Sequence, residues 1–522
     1  MFPWRLFCAC AALIILSGCD VPNAEIKGKV TYEKVPHSDI SHGLEYDKSF
    51  DSPVRGVEVQ LIEDGNIIDT DITDAQGQYK FIKKMDTFVK IRVRAELSNG
   101  TGDDDNNEWL VKVVDNTNGK ALYTMETNTF EVKRESMSIN LHASSGWQRE
   151  QGYTSTRAAA PFHVLDKVYD IFLKLDAIGY VQLPALSINW SPNNIPQFGD
   201  ITTGEIGTSY YQNGQIFLLG AEDVDTDEYD QHVIIHEWGH FFEDKIARSD
   251  SIGGPHAGGD YLDMRVAFGE GFGNAWSAMI TDKPTYQDSF DQDQATGFSI
   301  EIEDNDVINP GWFSEGSVQS LLYDIYDEAS DGQDFINLGL EPIVAILTGQ
   351  QKDTPAMTSI FTFMTFIKNE NPSFVNDFNN LLEAQNITAD VDIWGTNATN
   401  DGSLPEALPV YLDLSVGDTI RVCTSTSQGA DGNKLANHRF IKLNVPSNGS
   451  YTLTLTPSRD NDIDGYIFTN GAAVAANEAA GIEPAVITAE LVQGISIADV
   501  IGYNAEGTAV AAVCFDADFQ MN

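Results

Sequence analysis

The stretch VIIHEWGHFF, residues 233–242, restricts the fold more than any other part of the chain. Residues four apart share one face of an α-helix, about one turn from each other. His236 and His240 therefore project together, with Glu237 a third of a turn round. H-E-x-x-H on a helix is the pattern that sets two imidazoles on a zinc ion and a carboxylate beside its water. Val233, Ile234, Ile235, Trp238, Phe241 and Phe242 leave little polar surface, so this helix belongs in an interior. Upstream, Asp225 or Thr226 is expected as N-cap, with carboxylates in the first turn where the helix dipole favours them. The plainer alternative is two histidines hydrogen-bonded inside a core. The chain has only 9 histidines in 522 residues, so the spacing is specific.

A catalytic zinc needs a third protein ligand and an open position. One class of site takes a third histidine six residues after the second, behind a glycine; Glu243 and Ile246 occupy those places and exclude it. Another takes a glutamate from a following helix. RVAFGEGFGNAWSAMI, 265–280, has helical apolar spacing and offers Glu270. Asn274 lies one turn beyond, where it would hydrogen-bond a ligand histidine and fix its orientation. His256, in the glycine-rich SIGGPHAGGD, is the competing third ligand, in a loop that would hold it poorly.

HEWGH, then GGP, then AFGEGFGNAWS together resemble the gluzincin metallopeptidases, with fungalysin-type enzymes closest. TSYYQNGQIFLLG, 208–220, resembles the strand and tight turn that lead into the metal helix of thermolysin-like enzymes. The resemblance covers about residues 200–330. It implies zinc ligands His236, His240 and Glu270, with Glu237 as general base. It also implies that Ser209, Tyr210 and Tyr211 form an edge strand to which an extended peptide adds. Two departures stand out. No histidine follows Glu270 until His438, although those families use a later histidine to steady the transition state. Asn274 stands where thermolysin-like enzymes have Asp. The missing donor has to come from elsewhere. Tyr261, nine residues before Glu270, matches a tyrosine that faces the zinc in thermolysin-like enzymes. Tyr323 or Tyr326 on a later helix, Arg265 and His256 are the alternatives.

The opening MFPWRLFCACAALIILSGCD has Arg5, then an apolar run too short to span a bilayer, and reads as a signal peptide. Its LSGC resembles the bacterial lipobox, which implies cleavage before Cys19, acylation of that thiol, and an exported protein lipid-anchored at the periplasmic face or cell surface. In some genera Asp20 would favour the inner membrane. Cys423 and Cys514 are the cysteines left for the folded body, and an even pair in an exported chain reads as one disulfide.

Acidic residues outnumber basic ones 78 to 31, for a net charge of −47. That argues against nucleic acid and anionic lipid as partners. GDDDNNE (102–108) and EIEDND (301–306) are the densest acidic runs. Calcium would suit either, but a solvated loop is the preferred reading. Asp460, Asp462, Asp464 and Gly465 mimic the start of a calcium loop. Position twelve is Gly471 and not glutamate, so turn residues entering a strand are preferred.

The length suits about three domains. After a signal peptide (1–18) and tether (19–25), residues 26–144 read as strands. VRGVEVQLIEDGNIID turns at Asp64-Gly65, a hairpin signal. TDAQGQYKF and VKIRVRAEL resemble the carboxypeptidase regulatory-like, prealbumin-type β-sandwich. Residues 145–398 read as an α+β metallopeptidase domain with a mixed-sheet lobe and a helical lobe. TNDGSLPEALP (399–409) reads as a linker. Strands return over 410–522. There Asn448-Gly449 is expected to close a hairpin between RFIKLNV and YTLTLT, in a module resembling the pre-peptidase C-terminal β-sandwich. The expected fold is thus β-sandwich, gluzincin-like α+β domain and β-sandwich. The expected function is zinc-dependent endopeptidase, acting on peptides or proteins by a water that Glu237 deprotonates. A surface binding or adhesion lipoprotein with a degenerate peptidase domain is the alternative; a filled Glu237 position argues against it. A purely structural metal would need a fourth ligand, from His256 or a nearby Asp.

Overall fold

The computed structural model describes residues 21–98, 110–180, 183–327 and 335–522. The signal segment with Cys19, and the acidic run 102–108, lie outside them. Contacts divide the chain into two compact units. The smaller takes residues up to Thr31, Pro53–Arg94 and Thr124–His142; the larger takes Tyr32–Ser52, Ala95–Tyr123 and Ala143–Asn522.

The smaller unit is all strands. Val57–Glu63 and Asn66–Ile72 form the hairpin expected at Asp64-Gly65, both of which take positive φ (51° and 83°). Both residues left-handed is the type I′ geometry that suits twisted strands. Gln78–Lys84 runs antiparallel to the first residues of Asn23–Lys34, and Ser136–Ser138 runs parallel to them. Alternate residues such as Val89, Ile91 and Val93 are buried, as a half-covered strand requires.

In the larger unit the expected boundary at residue 144 needs correction. Leu110–Asp115, expected in the first sandwich, pairs in parallel with Leu186–Trp190, in register from Val111 opposite Leu186 to Val114 opposite Asn189. Gln215–Leu218 then pairs in parallel with Leu186–Trp190, and Tyr210–Gln212 ends the sheet antiparallel to Gln215–Leu218. LVKVVD looks the same in a meander as in a buried parallel sheet, so its partner 75 residues away was not readable locally. A second sheet joins Gly220–Ala221, Asp225–Thr226, Thr285–Phe290 and Thr296–Glu301. Glu301 closes the last of these strands, so EIEDND is a strand end and a turn.

Seven helices of the larger unit matter here: α1 Ala160–Ala177, α2 Gln231–Lys245, α3 Met264–Thr281, α4 Glu315–Tyr326, α5 Leu340–Thr348, α6 Ile360–Glu370 and α7 Val375–Ala384. α7 has no counterpart in the sequence reading. α2 is buried almost all round, as its composition requires, but its expected cap is wrong. Asp225 and Thr226 are strand residues; Asp230 holds the N-cap position and no acid lies in the first turn. The Asp230 carboxylate caps nothing. It accepts from Ser289 N at 2.8 Å and lies 2.9 Å from His37 Nε2. α3 begins at Asp263, whose side chain accepts from Arg265 N at 3.0 Å. It ends at Asp282, left-handed at φ 51°. No helix among the described residues is long and apolar enough to cross a membrane.

Segment 399–409 is not a free linker. Leu404 and Ala407 are buried, and the Asn400 carbonyl accepts from Trp312 Nε1 at 2.8 Å. Beyond it two sheets face each other. One orders Tyr411–Ser415, His438–Val445, Gly494–Tyr503, Asp462–Thr469 and Ala472–Asn477; the other orders Thr419–Cys423, Cys514–Met521, Gly449–Pro457 and Ala485–Leu491. Their inward residues, among them Leu443, Val500, Tyr451, Leu453, Phe515 and Phe519, share one core. The hairpin expected at Asn448-Gly449 is absent. His438–Val445 pairs with Gly494–Tyr503, whereas Gly449–Pro457 pairs with Ala485–Leu491 and Cys514–Met521. The chain crosses from one sheet to the other there, a choice that turn residues alone do not encode. Asp462 opens a strand, as the turn reading of 460–465 expects. Cys423 and Cys514 form a disulfide between paired strands, the second and the last of the module.

Candidate metal centre

α2 and α3 cross closely because glycines let them. A Cβ on Gly273 would stand 2.8 Å from the His236 ring, and one on Gly239 would stand 3.3 Å from the Gly273 backbone. Each helical glycine costs up to about 1 kcal/mol in propensity relative to alanine. That cost is offset by bringing two ligand-bearing faces together. The glycine ladder of GEGFG was in view in the sequence, but its purpose was not.

At the crossing, His236 Nε2 and His240 Nε2 lie 3.0 Å apart, and each lies 3.3 Å from Glu270 Oε2. Around a tetrahedral zinc with bonds of about 2.0–2.1 Å, neighbouring donors are separated by roughly 3.3 Å. Two imidazole nitrogens at 3.0 Å need a proton or a metal ion between them. The donor set and its spacing therefore fit zinc. Among the described residues, two groups bring ligand atoms within 4.8 Å of one another: His236, His240 and Glu270, and separately Asp225, Asp227 and Asp288.

The ring orientations follow from neighbours. Asn274 Nδ2 donates to Gln319 Oε1 at 2.9 Å, so its Oδ1 accepts, at 2.9 Å, from His236 Nδ1. With that proton on Nδ1, Nε2 offers a lone pair towards His240 and Glu270. His240 Nδ1 has Glu243 beside it at 3.7 Å. Burial pushes the Glu270 carboxyl up, but His240, His236 and His256 outweigh it and hold it well below the usual carboxylate range. Burial pushes His240 down, but Glu270, Glu243 and Glu237 outweigh it and hold it well above the usual imidazole value. Glu237 is 8% exposed, on the same helix turn, and its charge is felt at His240 and at Tyr286.

His256 is not one of the clustered groups. Its Nε2 stands 3.2 Å from the same Glu270 oxygen, and its Nδ1 stands 2.8 Å from Glu315 Oε2. Burial pushes it down, but hydrogen bonds to those two carboxylates prevail and raise it to about 10. Tyr261 lies in the adjoining loop with its ring 5.1 Å from Phe313, and no hydrogen bond joins it to the cluster. Tyr323 is buried in α4 with its ring 5.8 Å from Tyr326; the Tyr326 hydroxyl is taken by Asp282 at 2.6 Å. Arg265 is engaged with Asp263 and Asp499. Tyr210–Gln212 is the terminal strand of its sheet, and the Ser209 hydroxyl just before it hydrogen-bonds Asp227. Reasoning from sequence missed Gln319, Glu315 and Tyr286, whose ring lies edge-on 6.3 Å from His236. None of them carries a local signal, because each becomes part of the site only when its helix or strand packs.

The family pattern of the mycolysin C-terminal domain matches residues 185–384, from the strand Leu186–Trp190 to the end of α7. The match takes in His236, Glu237, His240 and Glu270, and links the chain to a peptidase-associated domain. No curated protein sequence matches. Several solved structures are similar over short stretches. One is the pre-peptidase C-terminal domain of a collagenase from Bacillus anthracis, at 10% identity over 21% of this chain and 94% of that one, with a TM-score of 0.17. Another is a protein of Pseudomonas aeruginosa proposed to bind carbohydrate, at 10% identity over 24% of this chain and 92% of that one, with a TM-score of 0.14. TM-scores this low carry no structural argument.

Proposed function

We propose that the chain is a zinc metallopeptidase of gluzincin type, with His236, His240 and Glu270 as ligands and Glu237 as general base. The observation that carries this reading is the convergence of His236 Nε2, His240 Nε2 and Glu270 Oε2 at 3.0–3.3 Å, with Glu237 buried beside them. When bound, zinc supplies the Lewis acidity that lowers the pKa of a water and polarises a carbonyl. Glu237 takes the proton of the attacking water and delivers it to the leaving amine. Asn274 and Gln319 keep the His236 ring from rotating. Ser209 to Tyr211 hold the substrate chain extended by adding it to the sheet edge. The mycolysin match over 185–384 supports a peptide or protein substrate. The lipobox-like LSGC supports lipid anchoring through Cys19, with the strand-built smaller unit as spacer.

The test is zinc stoichiometry with a peptidase assay on the full chain. Wild-type protein should hold about one zinc and hydrolyse an unstructured peptide. Glu237→Ala should keep the zinc and lose about 10²–10⁴ in kcat. A Glu237→Ala protein with undiminished kcat removes the mechanism.

A further inference from the structure

The loop 253–261 that carries His256 has Gly253, Gly254, Gly258 and Gly259 and no helix or strand of its own. Such a segment loses much conformational entropy when fixed, and left to itself it would hold an imidazole loosely. Its fastening comes from the C-terminal sandwich, about 180 residues on. Asn433 Nδ2 donates to the carbonyls of Gly253 and Pro255, both at 3.1 Å. Lys434 Nζ donates to the Pro255 carbonyl at 2.6 Å and lies 2.9 Å from the Asp260 carboxylate. Leu435 N donates to Tyr261 O, and Asp263 N to Asn433 O, both at 2.8 Å. Two side chains thus converge on Pro255 O, the carbonyl of the peptide that enters His256.

The fastening is itself braced. Asn437 accepts from Gly432 N and Lys434 N and donates to the carbonyls of Ser425 and Gly429. Gly254, at φ +102°, makes room for the contact: a Cβ there would stand 2.8 Å from Asn433 Nδ2. On the far side of the loop, Glu315 holds His256 Nδ1 at 2.8 Å, which points Nε2 at Glu270.

We propose that segment 433–437 of the C-terminal sandwich is a working part of the metal centre. Asn433 and Lys434 are positioning residues that hold His256 against Glu270. This rests on the peptidase reading above. Lys434 and Asn433 touch none of the three metal-ligating side chains, so their loss leaves zinc in place and costs precision. A group displaced by about 1 Å from its working position can cost up to about 100-fold in rate.

The experiment uses the full chain and three variants. Lys434→Met keeps the length of the stem and removes both polar contacts. It should retain one zinc and lose about 10- to 100-fold in kcat with little change in KM. Amide hydrogen exchange should quicken at least about tenfold over 253–262 while α2 stays protected. Lys434→Arg, which can still donate, should recover most of both. Should Lys434→Met fail to fold, Asp260→Ala removes one anchor from the loop side, where the carboxylate is 37% exposed, and should move the same two readouts less far. Unchanged kcat in a folded Lys434→Met, with or without faster exchange, overturns the proposal. If wild-type protein holds no zinc and cleaves no peptide, the peptidase reading is what fails, and the exchange data still report whether the sandwich fixes the loop.

Discussion

Two clusters in the larger unit meet the same geometric condition and differ in charge. His236, His240 and Glu270 pair bases with an acid, so each offsets the cost of burying the other. Asp225, Asp227 and Asp288 have no such relief. Burial first pushes all three up; Asp230 adds to this at each, Glu228 at Asp225, Asp225 at Asp227 and Asp288, and Asp288 at Asp227, so that Asp225 rises to about 7 and the others well above the carboxylate range. In the first cluster Glu270 is held ionised and attracts a positive charge, which a proton on His240 or a metal ion can supply; the second cluster retains protons on its carboxyls and has no base beside them. Closeness of ligand atoms is therefore a weaker criterion than the protonation state that the surroundings impose.

The sharpest way to break this comparison is to disable each cluster in turn. Glu270→Ala should abolish zinc binding and activity together, whereas Asp227→Asn should keep one zinc per chain; metal analysis after gel filtration checks both. If Asp227→Asn loses zinc and Glu270→Ala does not, the assignment of the two clusters is reversed. A finer change leaves the ligands alone. Asn274→Ala frees the His236 ring and should weaken zinc affinity about 10- to 100-fold, read by competition with a chromogenic chelator. An unchanged affinity would mean that the crossing glycines alone hold the ring.

The smallest effect concerns the second cluster and pH. Its carboxyls are raised above the unfolded value of about 3.9, so the folded chain binds more protons than the unfolded one. Stability from this source is present in mild acid and is lost as pH rises from about 4 through about 7. Asp288→Asn removes part of that penalty. With chelator present throughout, it should raise Tm at pH 8 by a few degrees and by clearly less at pH 5. Equal shifts at both pH values would mean that Asp288 does not titrate in this range.

What the sequence disclosed follows the range of the forces involved. His236, Glu237 and His240 sit within one helical turn, and the Asp64-Gly65 turn is decided by two residues, so both were readable. Glu270 and Asn274 were placed from one helix to the next by spacing and resemblance. The parallel strand Leu110–Asp115, the sheet change at Asn448-Gly449 and the α2–α3 glycine contact depend on partners far along the chain, which no local pattern names. The glycine-rich loop around His256 suggests a poorly held side chain, yet the structure fastens it; the fastening residue, Lys434, lies 179 residues from the carbonyl that it grips and has no local signal.

One buried contact also sets a schedule. Arg265, five residues before Glu270 on α3, is held between Asp263 and Asp499, and Asp499 is shared with His438. Burial pushes the Asp499 carboxyl up, but Arg265 and His438 hold it below the usual range, so it is charged at neutral pH. The Arg265–Asp499 contact spans 234 residues. A ribosome has therefore made the whole region that matches the mycolysin pattern, and nearly all of the sandwich, before the helix that carries Glu270 can find its last counter-charge.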